Sequence, residues 1–116
     1  MKLLKLFLTY LFIAVLSTNL PARAEQANLK HFTSGSYQQL LKEYADKPFV
    51  LMIWSISCAS CLKKMPVMSE LRKSMPGVNL IMLATDDASA THQVNSILTG
   101  NQLDHADNWI FADANA

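Results

Sequence analysis

"PFVLMIWSISCASCLKKMPVMSEL", Pro48 to Leu71, changes its periodicity halfway along. Phe49 to Ile56 is apolar except for Ser55, a run without polar alternation that suits a strand buried on both faces, as in a parallel sheet. From Cys58 the pattern is helical. Cys61, Met65, Met68, Leu71 and Met75 step by four, three, three and four, while Lys63, Glu70 and Lys73 fall away from that stripe. Pro66 lies inside the pattern, where it removes a backbone donor and should kink the helix. The chain's two cysteines, Cys58 and Cys61, therefore sit where a strand ends and a helix begins.

Upstream, Leu29 to Phe32 alternates weakly and reads as a short first strand. Ser36 with Gln39 matches a capping box for a helix carrying Tyr37, Leu40, Leu41 and Tyr44, which Pro48 closes. Downstream, Pro76-Gly77 makes a turn, and Val78 to Thr85 is a second buried strand. Asp86 and Asp87 are placed to cap a third helix with Ala90, Val94, Ile97 and Leu98 on its apolar side and Gly100 as its stop. Trp109 to Phe111 reads as a last short strand before a polar end, Asp113 to Ala116. Alternating strands and helices predict an α/β layered fold with right-handed crossovers: a central, mostly parallel sheet flanked by helices.

The N-terminus bears on the compartment. Lys2 and Lys5 precede an apolar run from Leu6 to Leu16, then polar residues, Pro21 and the small-x-small triplet Ala22-Arg23-Ala24. That order describes a secretory signal peptide over residues 1–24, cut after Ala24, with one domain over residues 25–116. The apolar run is about 11 residues, against the roughly 20 a spanning helix needs, so no stable membrane span is expected after cleavage. Removing Lys2, Lys5 and Arg23 from ten basic residues leaves seven against nine acidic ones, so the formal charge goes from +1 to −2. No basic cluster interleaved with aromatics remains, and nothing points to nucleic acid. The expected location is periplasmic or otherwise exported.

Three chemistries suit a lone C-x-x-C. At a helix start, unpaired N–H groups and the helix dipole stabilise a thiolate, so the pKa of Cys58 falls below the free value of about 8.5. Cys61, one turn on, is placed to attack a mixed disulfide on Cys58 and release the partner. In this redox reading Cys58 is the exposed nucleophile and Cys61 the more buried resolving thiol, with the Cys58–Cys61 disulfide as the redox centre and no cofactor needed. A purely structural disulfide would close a small loop, stabilising by roughly 2 kcal/mol against about 3 for a 15-residue loop. A zinc site would need further ligands, yet there is no second C-x-x-C, and His31, His92 and His105 are scattered. A copper site would borrow Met65 or Met68, although methionines at helical spacing are more often core filler.

Pro48 to Leu71 also resembles the active-site segment of thioredoxin-like proteins, most closely the exported thiol–disulfide oxidoreductases of the TlpA and ResA type. The matching features are the apolar strand, Trp54 four positions before Cys58, the C-x-x-C at the helix start, and Met65-Pro66 within the helix. The following strand, Asp86-Asp87 and third helix carry the likeness to roughly Ser36 through Asp113. The resemblance implies exchange of disulfides with protein thiols, cell redox homeostasis as the setting, and an electron partner such as a membrane thiol transporter. Trp54, Lys64 and Pro66 are the expected modulators of the pair. An ammonium at Lys64 near the cysteines would favour thiolate, whereas a solvated lysine has only a screened effect. The alternatives are an exported copper or zinc chaperone, using Cys58 and Cys61 with a methionine or His92, and a non-catalytic thioredoxin-like interaction domain.

The departures from the family pattern bear on redox direction. Position 57 is Ser where the family usually has an aromatic or Thr. Ala59-Ser60 is neither the Gly-Pro of thioredoxins nor the Pro-His of strong oxidants. Met52 stands in place of a buried acid, and Lys64 in place of a common Glu. Thioredoxin-like proteins further place a cis-proline opposite the C-x-x-C, where the adjoining backbone pairs with substrate. Here Pro21, Pro48, Pro66 and Pro76 all have other places, and none follows Gly77. The expectation is a domain incomplete at the C-terminus, with the closing hairpin and last helix missing and a sheet edge left open.

Overall fold

The structure is a computed structural model that describes residues 1–4 and 27–113. The expected leader and its cleavage site lie, apart from the first four residues, outside the described residues. From Leu29 the elements alternate: β1 (Leu29–Phe32), α1 (Ser36–Glu43), β2 (Phe49–Trp54), α2 (Ala59–Ser74), β3 (Asn79–Asp87), a 3₁₀ turn (Ala88–Ala90), α3 (Thr91–Gly100) and β4 (Asp107–Phe111). Among the described residues the three strand pairings are all parallel, in the order β1-β4-β3-β2. The predicted order of elements and the α/β layered class, a parallel sheet flanked by helices, are what the chain adopts. No helix among the described residues is long and apolar enough to cross a membrane.

Strand alternation divides the core into two layers. On one face, Leu80, Met82 and Ala84 of β3 pack with Met65 of α2, Val94 and Leu98 of α3, and Trp54 and Ile110. On the other face, Ile81 and Leu83 pack with Leu40 of α1 and with Trp109, edged by Phe32, Phe49 and Phe111. So α2 and α3 cover one side of the sheet, and α1 the other. Phe32 sets its ring edge-on to Trp109 at 5.9 Å and stacks on Phe111 at 5.7 Å, which fixes β1 against β4.

Four expectations are corrected. The capping box at Ser36 and Gln39 does not form. Gly35 is the N-cap, and the buried Ser36 hydroxyl instead accepts the Thr33 N–H at 2.9 Å, closing the turn that enters α1. The run expected to be buried on both faces ends at Trp54 rather than Ile56 and lies at a sheet edge, where Ile53 is 59% exposed. An unalternating apolar run does not by itself distinguish an edge strand from an inner one; β3, inner like β4, is buried from Leu80 to Ala84.

The third helix is not stopped by Gly100, which is its last residue. Gln102 adopts the left-handed conformation (φ 59°), Gln102 N–H bonds the Thr99 carbonyl, and Leu103 N–H bonds the Leu98 carbonyl at 2.8 Å. That is a Schellman closure, completed by burial of Leu98 and Leu103 in the same cluster. Finally, only Asp87 acts as a cap: its carboxylate accepts the N–H and hydroxyl of Ser89 at the 3₁₀ turn. Those bonds hold the Asp87 carboxyl below its usual range. Asp86 has a different task, described below.

Candidate active site

Parallel pairing puts the carboxyl ends of all the strands at one pole of the sheet, the usual place for a site in open α/β sheets. Trp54 ends β2 there with its ring buried in the core, and Ser55 to Ser57 carry the chain into α2. Cys58 N–H bonds the Ser55 carbonyl at 3.1 Å, a tight turn that delivers Cys58 as the N-cap of α2 in extended conformation. Cys58 Sγ accepts the Cys61 N–H at 3.2 Å and is bonded to Cys61 Sγ, with the two Cα atoms 5.2 Å apart. Ser60 Oγ lies 3.6 Å from Cys58 Sγ. The strand–turn–helix junction expected from the sequence is therefore where the pair sits, and its first sulfur occupies the position a capping side chain takes.

Cys58, expected to be exposed, is half-buried like Cys61, because the turn after β2 and the start of α2 enclose it; Cys61 also packs against the main core. Met65, one turn further, is fully buried in that core, and Met68 packs against it. Pro66 and Lys64 are exposed on α2, which continues through Pro66 to Ser74. Met52 packs against the core from β2. Among the described residues no three His, Cys, Asp or Glu side chains converge to hold a metal ion.

Two residues beyond the expected set hold the junction. The register between β3 and β4 slips after Ala84 and resumes at Asp87, which takes Thr85 and Asp86 out of that ladder. Both reach toward the end of β2 instead. Thr85 Oγ1 donates to the Trp54 carbonyl at 3.4 Å, and Asp86 Oδ2 accepts the Ile56 N–H at 3.0 Å. A paired acid at the carboxyl end of a buried strand was the available sequence signal, and capping explained it equally well.

Beside the junction lies an open cleft of about 540 Å³ between Ile56-Ser57 and the α3 face formed by His92, Gln93, Ser96 and Ile97. A second cleft, about 590 Å³, opens at the opposite pole among Lys30, Tyr44, Arg72, Asn79, His105 and Asp107. It is slightly larger but sits at the amino ends of the strands, away from the cysteines. There Tyr44 donates to Asp107 Oδ2 at 2.8 Å. Lys30 Nζ lies 2.8 Å from Asp107 Oδ1, near enough for an ion pair though not aligned as a hydrogen bond, and 4.9 Å from the Trp109 ring centre. Burial, then the Asp107 carboxylate, keeps the Tyr44 phenol well above the ordinary tyrosine range.

Fold and junction together define the class: a parallel α/β sheet presenting a C-x-x-C disulfide at a helix start. The chain is similar to a solved structure of that kind, a secreted Mycobacterium tuberculosis disulfide oxidoreductase homologous to E. coli DsbE, with a TM-score of 0.50 and 24% identity. The match covers 59% of this chain and 49% of that protein, so it spans about half the length of its counterpart. At that identity the likeness is one of fold. No protein-family model and no curated protein matches the sequence.

Proposed function

We propose that the chain is an exported thiol–disulfide oxidoreductase of the TlpA and ResA type, exchanging disulfides with protein substrates through Cys58 and Cys61. The observation that carries the reading is the Cys58 sulfur serving as N-cap of α2 while bonded to Cys61 at the open carboxyl pole of the sheet. In the reduced pair, the same Cys61 N–H and the helix dipole favour a thiolate at Cys58. That thiolate attacks a substrate disulfide, forming a Cys58–substrate bond and releasing the substrate's other sulfur as a thiolate that takes up a proton. Cys61, deprotonated, then attacks Cys58 Sγ, forms the Cys58–Cys61 disulfide and releases the second substrate thiol. Two electrons pass from the pair to the substrate; reversing the steps oxidises a dithiol.

Protein thiols and disulfides are the substrates in this reading, and a membrane thiol–electron transporter restores the pair. Trp54 anchors the strand end, Pro66 lies in the helix beyond the pair, and Lys64, exposed to solvent, acts on the couple only through a screened charge. The experiment is trapping. Full-length Cys61→Ser protein should accumulate a mixed disulfide with a reducible protein such as insulin, and Cys58→Ser should not. Equal trapping by both variants, or by neither, would overturn the assignment.

A further inference from the structure

The larger cleft, at the amino ends of the strands, contains a buried group that the fold does not satisfy. Asn108 is 1% exposed and lines the cleft near the start of β4. Its Nδ2 donates to the Leu103 carbonyl at 2.9 Å and to the Asp104 carbonyl at 3.2 Å, while Oδ1 has no donor among the described residues. Buried amides normally have both ends paired, because an acceptor without a donor costs free energy. Asn108 and Ile110 share a side of β4, the side that α2 covers. Arg72, one turn beyond Met68 on the packed stripe of α2, lines the cleft from that same side. Its guanidinium gives one long bond, 3.4 Å, to the Gln102 carbonyl and has no carboxylate partner among the described residues. Lys30 and Asp107, the other full charges on the lining, pair with each other. The cleft therefore combines a free cationic fork, a buried acceptor without a donor, and an apolar wall from Val78 and Leu80.

We infer that this cleft binds a small zwitterion, a free α-amino acid, with its carboxylate on the Arg72 fork and its ammonium donating to Asn108 Oδ1. The inference goes beyond the oxidoreductase reading and shares no residue with it. Each half of the ligand answers one group that the chain leaves over. A carboxylate matches the planar fork of a guanidinium, which can hold it with two parallel bonds. An ammonium supplies the donor that Asn108 Oδ1 lacks, and the neighbouring Asp107 carboxylate adds a favourable field. Simpler ions fit less well. An inorganic oxyanion sets its charge against Asp107 and brings few donors to Asn108, whereas a bare cation meets Arg72 and Lys30. A volume of about 590 Å³ leaves room for a small aliphatic side chain against Val78 and Leu80.

The test is an NMR titration of the full-length protein, following backbone and side-chain amides, with L-alanine, propionate and ethylamine as separate probes. Propionate lacks the ammonium and ethylamine lacks the carboxylate, so each deletes one contact without altering the chain. L-Alanine should give saturable shifts at Asn79, His105 and the Asn108 side-chain amide, all on the cleft lining. It should bind about tenfold more tightly than either half-ligand, the scale of one charge-assisted hydrogen bond. Arg72→Met keeps an unbranched side chain at a half-buried helix position and should weaken L-alanine to the level of ethylamine. Arg72→Lys, which retains the charge without the fork, should fall between the two. L-Alanine binding no more tightly than propionate or ethylamine to the parent, or undiminished in Arg72→Met, would overturn the inference. So would saturable shifts confined to the C-x-x-C pole. The comparison of probes on the parent needs no variant to fold. Failure of the trapping experiment with L-alanine bound sinks the oxidoreductase reading and keeps this site; trapping without binding does the reverse.

Discussion

Asp86 Oδ2 accepts the Ile56 N–H at 3.0 Å, tying the carboxyl end of β3 to the loop that delivers Cys58. The bond is possible because the β3–β4 register slips between Ala84 and Asp87, leaving Asp86 outside that ladder. A charge-assisted bond to a partly buried backbone donor is worth about 2 kcal/mol. Asp86→Ala should therefore lower stability in urea unfolding by about that amount and speed hydrogen exchange at the Ile56 amide. Asp86→Asn, which keeps an acceptor oxygen, should recover most of the loss. Ala and Asn variants both indistinguishable from the parent would remove Asp86 from its positioning role.

A second prediction concerns the reduced pair. Cys58 caps α2 and Cys61 packs against the core, so Cys58 should alkylate with iodoacetamide faster than Cys61 at neutral pH. Peptide mapping after brief labelling of the folded, reduced protein reads the ratio directly. Equal rates, or a faster Cys61, would contradict the assignment of nucleophile.

Much of this architecture was legible because the period changes at Cys58: a run of consecutive apolar residues and a three-four stripe are distinct patterns, and they place the cysteines without further information. What was not legible turns on context beyond the local pattern. Phe49 to Trp54 and Leu80 to Ala84 look alike as apolar runs, yet one forms a sheet edge with Ile53 in solvent and the other is buried. Asp86 and Asp87 are chemically identical neighbours, separated only by a register slip that no local propensity encodes. Ser36 has the right residue three positions before Gln39, but its hydroxyl is taken up by the turn that precedes the helix. Those are tertiary decisions overriding local signals.

The α3 terminus gives a third test. Gln102 occupies the left-handed position where glycine carries no Cβ penalty. Gln102→Gly should raise stability by roughly 0.5–1 kcal/mol, the left-handed cost less the extra chain entropy of glycine. A thermal or urea transition moved to lower stability would show that the Gln102 side chain is held by more than its backbone.

Tyr44 and Asp107 set an alkaline limit. The folded state raises the Tyr44 pKa above its ordinary value of 10, so the stabilisation is complete below that pH and is lost as pH climbs toward the higher folded value. Tyr44→Phe should cost about 1 kcal/mol at pH 7 by removing the bond to Asp107. Above pH 10 the parent should lose stability more steeply than the variant. Parallel curves for the two proteins from pH 9 to 11 would exclude this linkage.

The reduction potential of the Cys58–Cys61 couple, measured on the full chain by equilibration with glutathione or dithiothreitol buffers, separates an exchanging pair from a structural clip. A redox-active pair at a helix start predicts a two-electron couple between about −120 and −270 mV, the span of disulfide oxidoreductases. A potential below about −300 mV, where structural disulfides of exported proteins lie, would contradict it.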